Sequence, residues 1–338
     1  MDIERIAGNT CEAPFPVYPD LVDVLAAPTK GSSLERHGAV AHVLGTCAGY
    51  AYADLDTVAT MMSRVGFEAE ACIRLSQTVD AMLIYSTAFL LQSRCGRVVI
   101  LCYRGTETSN LGNWLGDADV GSDSSLMSGA EGAPPLRVHA GFHLNVRATS
   151  WSILEELRRA LRAGSLLDPG RRLEHPLEAL YVAGHSLGGA MAVLFALAVS
   201  GQGQHREVGD VLRAVYTYGQ PMTVCEPLPR WSEGVARKLV RHVLPRDPVP
   251  ALPPAGWGPF VHIGQEFQLV EDAWCRSESP VAQAPRAKLI ARSIVDALGP
   301  EERRRSSAYL ASAHGPQHYI AALRPKGRVS ELGDPPSP

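Results

Sequence analysis

The chain has 338 residues, is 46% hydrophobic and carries a formal net charge of −3 at pH 7. That is material for a large core, in one big α/β domain or two smaller ones. The small negative charge excludes the basic bias of a protein that binds nucleic acid or anionic membranes.

Met1 to about Ser33 is rich in proline and turn formers (Pro14, Pro16, Pro19, Pro28) and reads as a loose arm over the surface. Its first residues, Met1-Asp-Ile-Glu-Arg-Ile, lack the apolar core of a signal peptide. The seven cysteines are odd in number and scattered, with no Cys-x-x-Cys pair, so neither a disulfide framework nor a zinc ribbon is indicated. The expectation is a reduced, cytoplasmic protein, with non-classical export left open.

From Leu34 to Val65 the pattern is helical, with Val40, Val43, Leu44, Cys47, Tyr50 and Ala51 at three- and four-residue steps. Gly45-Thr-Cys-Ala-Gly49 mimics a cysteine-nucleophile turn. The helical period runs through it, so Cys47 is read as a small core residue. A β-prone run from Thr78 to Gln92 and a second strand, Arg97 to Tyr103, follow, the latter ending in Arg104-Gly-Thr106. Such a turn exposes main-chain N–H groups at the carboxyl edge of a sheet, where α/β sites form. Leu111, Trp114 and Leu115 then share one face of a short amphipathic helix, read as a lid rather than as core.

Gly121 to Pro135 is a surface loop. Arg137 to Phe142 makes a short strand and turn before a helix, His143 to Arg162, with Leu144, Trp151, Leu154, Leu157 and Leu161 expected inward. His139 and His143, like His314 and His318, stand four apart. Neither pair lies in a His-Glu-x-x-His pattern or has a nearby third ligand, so no metal site is expected.

The chemistry centres on Ala179 to Ala190. An apolar run enters Gly184-His-Ser-Leu-Gly188 and exits into Ala190-Met-Ala-Val-Leu-Phe-Ala-Leu-Ala198, a strong helix former. Strand, sharp turn and helix put Ser186 at the apex, where its hydroxyl can project clear of the sheet, as a nucleophile needs. A continuous membrane helix through this stretch is disfavoured by the adjacent glycines and the β-prone run before them. Further strands end at Tyr218-Gly-Gln-Pro221 and at Leu244. Beyond Leu244, Asp247 sits between prolines, where a carboxylate can orient a histidine. Phe260 to Gly264 and Glu266 to Val270 read as a hairpin, and Ala282 to Leu310 as helical. Two histidines, His314 and His318, precede a final helix, and the tail from Ser330 should be disordered. No internal repeat or nucleotide loop is present.

The order Ser, Asp, His is that of the α/β-hydrolases. Over about Tyr52 to Leu323 the chain resembles the class 3 lipases. The resemblance rests on Arg104-Gly-Thr106, Asn113-Trp-Leu115, Val138-His-Ala-Gly-Phe142, Gly184-His-Ser-Leu-Gly-Gly189, Thr217-Tyr-Gly-Gln-Pro221, Asp247-Pro-Val-Pro250 and His262-Ile-Gly264. It implies an α/β-hydrolase fold, with a mostly parallel central sheet, flanking helices and a short lid helix. The implied layout is an arm over 1–33, the catalytic domain over 34–325 and a disordered tail over 326–338.

The implied activity is hydrolysis of fatty-acyl esters such as acylglycerols through an acyl-enzyme. Ser186 would be the nucleophile, Asp247 the acid, and the Thr106 and Leu187 amides the oxyanion hole. His314, five residues before Tyr319, would be the base, with His318 as the alternative. No cofactor or metal is required. The implied partner is a lipid or ester small molecule, with transient contact at a lipid interface, and neither nucleic acid nor a transmembrane segment is involved. A short-chain esterase or phospholipase of the same fold is the near alternative. A catalytically inactive binding module is the distant one, and an intact Ser, Asp and His set weighs against it. The helical stretch expected at Ser277 to Ser306, before the histidine, departs from the commoner fungal form.

Overall fold

A computed structural model describes residues 1–8, 17–27, 34–105, 124–129, 132–201, 205–284 and 313–335. In chain order it runs β1 (Asp2–Ala7), α1 (Leu21–Ala26), α2 (Leu34–Tyr50), α3 (Leu55–Arg64), β2 (Ala69–Val79), β3 (Ile84–Ser93), β4 (Val98–Tyr103), β5 (Ser124–Met127) and β6 (Leu136–His139). There follow α4 (Ala140–Leu161), β7 (Ala179–His185), α5 (Leu187–Ser200), α6 (Arg206–Val211), β8 (Leu212–Tyr218), β9 (Val224–Cys225) and α7 (Glu233–Ala236). The chain closes with β10 (Leu239–Val243), β11 (Phe260–Val261), β12 (Gln265–Val270), β13 (Ala273–Arg276) and α8 (Pro316–Leu323).

Nine strands form one sheet in the order β1-β2-β3-β4-β7-β8-β10-β12-β13. The five from β4 to β12 are mutually parallel, and antiparallel strands extend both flanks. Both faces are apolar because the central strands alternate hydrophobic with hydrophobic. In β4, Val99, Leu101 and Tyr103 join the core under α4 and α5, whereas Val98, Ile100 and Cys102 join the core under α1, α2, α3 and α8. Helix α5 is buried almost all round, as its uninterrupted apolar sequence requires. A small antiparallel sheet, β11-β9-β6-β5, stands apart from the main one.

Several expectations change. The single helical stretch to Val65 is two helices, because Asp54 caps α3 by accepting from the Thr57 N–H at 2.8 Å. Cys47 is buried inside α2. The expected loose arm contributes β1, paired in register along β2, neither of which was anticipated. Trp151 is 70% exposed and Leu144 36% exposed. The buried stripe of α4 is Phe142, Val146, Thr149, Ile153, Leu154 and Leu157, and Trp151, two residues from Thr149 and from Ile153, lies about 200° from either.

The expected hairpin is not one. β11 pairs with β9 in the small sheet, while β12 lies parallel to β10 and turns back into β13. Alternating apolar residues mark a strand but not its partner. Residues 277–284 are not helical, and the rest of the expected helix lies outside the described residues. The tail is packed as far as it is described. Arg328 donates to the Val17 carbonyl at 3.0 Å, Tyr50 donates to Glu331 at 3.1 Å, and the Ser330 hydroxyl accepts from the Asp334 N–H.

Candidate active site

The site gathers at the carboxyl edge of β7, β8 and β10, where α/β sheets place their ligands. Ser186 joins β7 to α5 with φ 58° and ψ −130°, a strained conformation for a residue with a Cβ. The turn is held by the Ser186 N–H donating to the Tyr218 carbonyl at 2.9 Å. A Cβ at Gly184 would strike the Gly188 backbone, and one at Gly188 would strike the Tyr103 carbonyl, so the flanking glycines are steric necessities. Because α5 begins at Leu187, that residue's main-chain N–H is among the four first-turn donors without a helical acceptor.

Asp247 follows β10 in a turn closed by its own N–H on the Leu244 carbonyl. Its Oδ1 accepts from the Val249 N–H at 2.9 Å, and its Oδ2 accepts from His314 Nδ1–H at 2.7 Å and from the Tyr319 hydroxyl at 2.6 Å. The Tyr319 hydroxyl in turn accepts from the Leu244 N–H at 3.2 Å. Burial, reinforced by the Asp247 charge, holds that phenol well above its ordinary range, so it stays a donor.

His314 sits just before α8, buried, with Pro316 at the first position of the helix. Since a carboxylate only accepts, the proton is on Nδ1 and Nε2 offers a lone pair. Among the described residues, His314 Nε2 and Ser186 Oγ are both buried without a hydrogen-bond partner, so no Ser186–His314 bond is formed. Catalytic contacts are commonly long in substrate-free enzymes and tighten when substrate enters. His318 lies on the solvent face of α8. Thr106 and the lid residues Leu111, Trp114 and Leu115 fall outside the described residues. His139 caps α4, accepting from the Phe142 N–H and stacking on that ring at 4.1 Å.

Three residues of this site escaped the sequence reading. Tyr319 was noted only as a spacing marker, yet it bonds Asp247 directly. His185 and Tyr52 were not singled out, yet they join each other at 2.9 Å, and His185 reaches the His314 main chain at 2.8 Å. The signal for His185 was its place inside the Gly184-to-Gly189 motif, whereas nothing in the sequence pointed to Tyr52.

The nine-stranded sheet and the serine turn are those of the α/β-hydrolase fold. Residues 100–257 match the family model of the class 3 lipases. It is 27% identical over 243 residues to a lipase of Rhizomucor miehei, covering 67% of this chain and 60% of that protein. It is 30% identical to a secreted mono- and diacylglycerol lipase of Gibberella zeae, covering 43% of this chain and 34% of that protein. The chain thus spans less than two thirds of the length of these relatives. A solved structure of Rhizomucor miehei triacylglyceride lipase shares the fold with a TM-score of 0.52 at 21% identity, over 85% of this chain and 98% of that one.

The expectation of a cytoplasmic protein is overturned by these comparisons, since relatives are named as secreted proteins. Scattered cysteines and the composition of the first few residues carry little information on compartment. Among the described residues, no helix is long and apolar enough to cross a membrane.

Proposed function

We propose that the protein hydrolyses fatty-acyl esters, acylglycerols foremost, by nucleophilic catalysis at Ser186. The observation that carries this reading is the buried Asp247–His314 bond, which leaves a basic Nε2 in the site that holds the strained serine turn. His314 takes the Ser186 proton as the hydroxyl attacks the ester carbonyl, and Asp247 holds the tautomer and stabilises the imidazolium. The Leu187 amide receives the negative oxygen, with Thr106 as the second donor, each worth about 3 kcal/mol in the transition state. The leaving alcohol departs with the His314 proton, and water then hydrolyses the acyl-enzyme through the same base. Transient contact with a lipid interface belongs to the same reading. The relatives' names, a lipase and a mono- and diacylglycerol lipase, support acylglycerols as the substrate class.

The test is hydrolysis of p-nitrophenyl esters from acetate to palmitate, and of emulsified acylglycerol, by wild type and by Ser186→Ala, His314→Ala and His318→Ala. The first two variants should lose about 10⁴-fold or more in kcat, and His318→Ala should retain activity. Full activity in Ser186→Ala would refute the mechanism. A chain-length optimum at acetate would move the substrate class to short esters, and no turnover by wild type would favour an inactive binding module.

A further inference from the structure

The mechanism needs His314 held at one place and in one orientation, but His314 lies just before α8, outside the sheet. Two side chains absent from that mechanism bear on it, one directly and one through the other. His185, beside the nucleophile, is buried with its ring centroid 4.5 Å from that of His314. Its Nε2 lies 2.8 Å from the His314 carbonyl oxygen. A carbonyl only accepts, so Nε2 carries the proton and Nδ1 is left with a lone pair. That lone pair accepts from the Tyr52 hydroxyl at 2.9 Å. Tyr52 lies in the break between α2 and α3, far from both histidines in sequence.

Tyr52 also touches the remaining wall of the site. A Cβ at Gly105 would overlap its hydroxyl, and the Arg104 guanidinium lies 5.9 Å from its ring centroid. The turn that follows β4, the elbow after β7 and the residues just before α8 therefore meet at one hydrogen-bonded pair. A neutral His185 suits this place, because His314 becomes a cation during the reaction and a second cation at this separation would oppose it. Burial holds the His185 ring well below its ordinary range, and His314 pushes it the same way.

We propose that Tyr52 and His185 are positioning residues for the reaction: Tyr52 fixes the His185 tautomer, and His185 fixes the main chain of the base, His314. This rests on the hydrolase reading above. Neither side chain takes a proton in the reaction. Their contribution is geometric, and a displacement of about 1 Å at a catalytic base is enough to cost on the order of 10²-fold in rate.

The variants are Tyr52→Phe, which deletes one oxygen, His185→Phe, which keeps a ring but no donor, and His185→Gln, whose Nε2 can still donate to the His314 carbonyl. Each is checked for folding by thermal unfolding. Steady-state hydrolysis of p-nitrophenyl butyrate and the rate of Ser186 labelling by a fluorophosphonate are then measured. Tyr52→Phe and His185→Phe should each lower kcat about tenfold or more with little change in KM, and slow labelling in parallel. His185→Gln should recover most of the loss seen in His185→Phe. If His185→Phe does not fold, Tyr52→Phe and His185→Gln measured against wild type decide the matter. A folded Tyr52→Phe that labels and turns over at the wild-type rate overturns the proposal, as does a His185→Gln no better than His185→Phe. A wild type that neither labels nor turns over overturns the hydrolase reading itself and the proposal with it, whereas a labelled wild type with unaffected variants overturns the proposal alone.

Discussion

Replacing Tyr319 by Phe removes a single oxygen from a buried, well-packed ring, so the change leaves no appreciable cavity. What is lost is the 2.6 Å hydrogen bond to Asp247 Oδ2 and the acceptor of the Leu244 N–H. Asp247 retains His314 and the Val249 N–H, so the carboxylate is weakened in its hold rather than stranded. A hydrogen bond to a charged group is worth about 1.5–3 kcal/mol, and that range is the expected loss of stability. With about 2.1 cal/mol/K of unfolding entropy per residue over the 338 residues of the chain, a loss of about 2 kcal/mol lowers the unfolding midpoint by roughly 3 °C. The carboxylate that orients His314 also gains freedom, so kcat should fall about three- to thirtyfold while KM holds. Calorimetry and p-nitrophenyl ester kinetics on the same preparation check both numbers. An unfolding midpoint unchanged to within about 1 °C, or an unchanged kcat, would show that the phenol does not restrain Asp247, and the reasoning would be wrong.

Arg241 and Glu266 form a 2.8 Å ion pair between β10 and β12, with side-chain exposures of 2% and 1%. Glu266→Gln strands a buried guanidinium and should cost about 3–5 kcal/mol in urea unfolding, whereas Arg241→Met with Glu266→Leu should cost less than the single change. Stability should also fall with acid. His42 and His139 are pushed down to about 4, burial being the main cause in both and the Arg324 charge adding to it at His42. In the unfolded chain each takes up a proton near 6.5, so below that pH the unfolded state binds protons that the native state refuses. The stabilisation is therefore complete above about pH 6.5 and is lost as pH falls towards about 4, at up to about 1.4 kcal/mol per pH unit for each histidine. Urea unfolding at pH 7.5 and pH 5.0 should differ by about 4 kcal/mol from these two groups, and a flat profile would contradict the assignment.

The nucleophile turn was readable in the sequence because its determinants are local. Gly184, Ser186 and Gly188 lie within five residues, and the atom a Cβ at Gly184 would strike belongs to Gly188 itself. The central strands were readable for a similar reason, since apolar runs such as Val98 to Tyr103 announce strands buried on both faces. Asp247 was marked by its prolines, which stiffen the loop that presents it. Strand partners were not readable: β11 and β12 follow one another closely yet join different sheets, because pairing is settled by what else is available to pair. Nor could periodicity orient α4, where Trp151 turned outward.

The sequence by itself determined the serine turn, the order of the reactive residues and the apolar strands beneath them, all properties of short stretches of chain. Only the tertiary structure decided which histidine faces Asp247, since His314 and His318 are separated by little in sequence and by the full choice between core and solvent in space. It alone brought Tyr52 to His185 across 133 positions, through the packing of α2 and α8 against the sheet. Hydrogen bonds of that kind are made by burial, which leaves a polar group no water to turn to, and burial belongs to the folded chain rather than to any stretch of it.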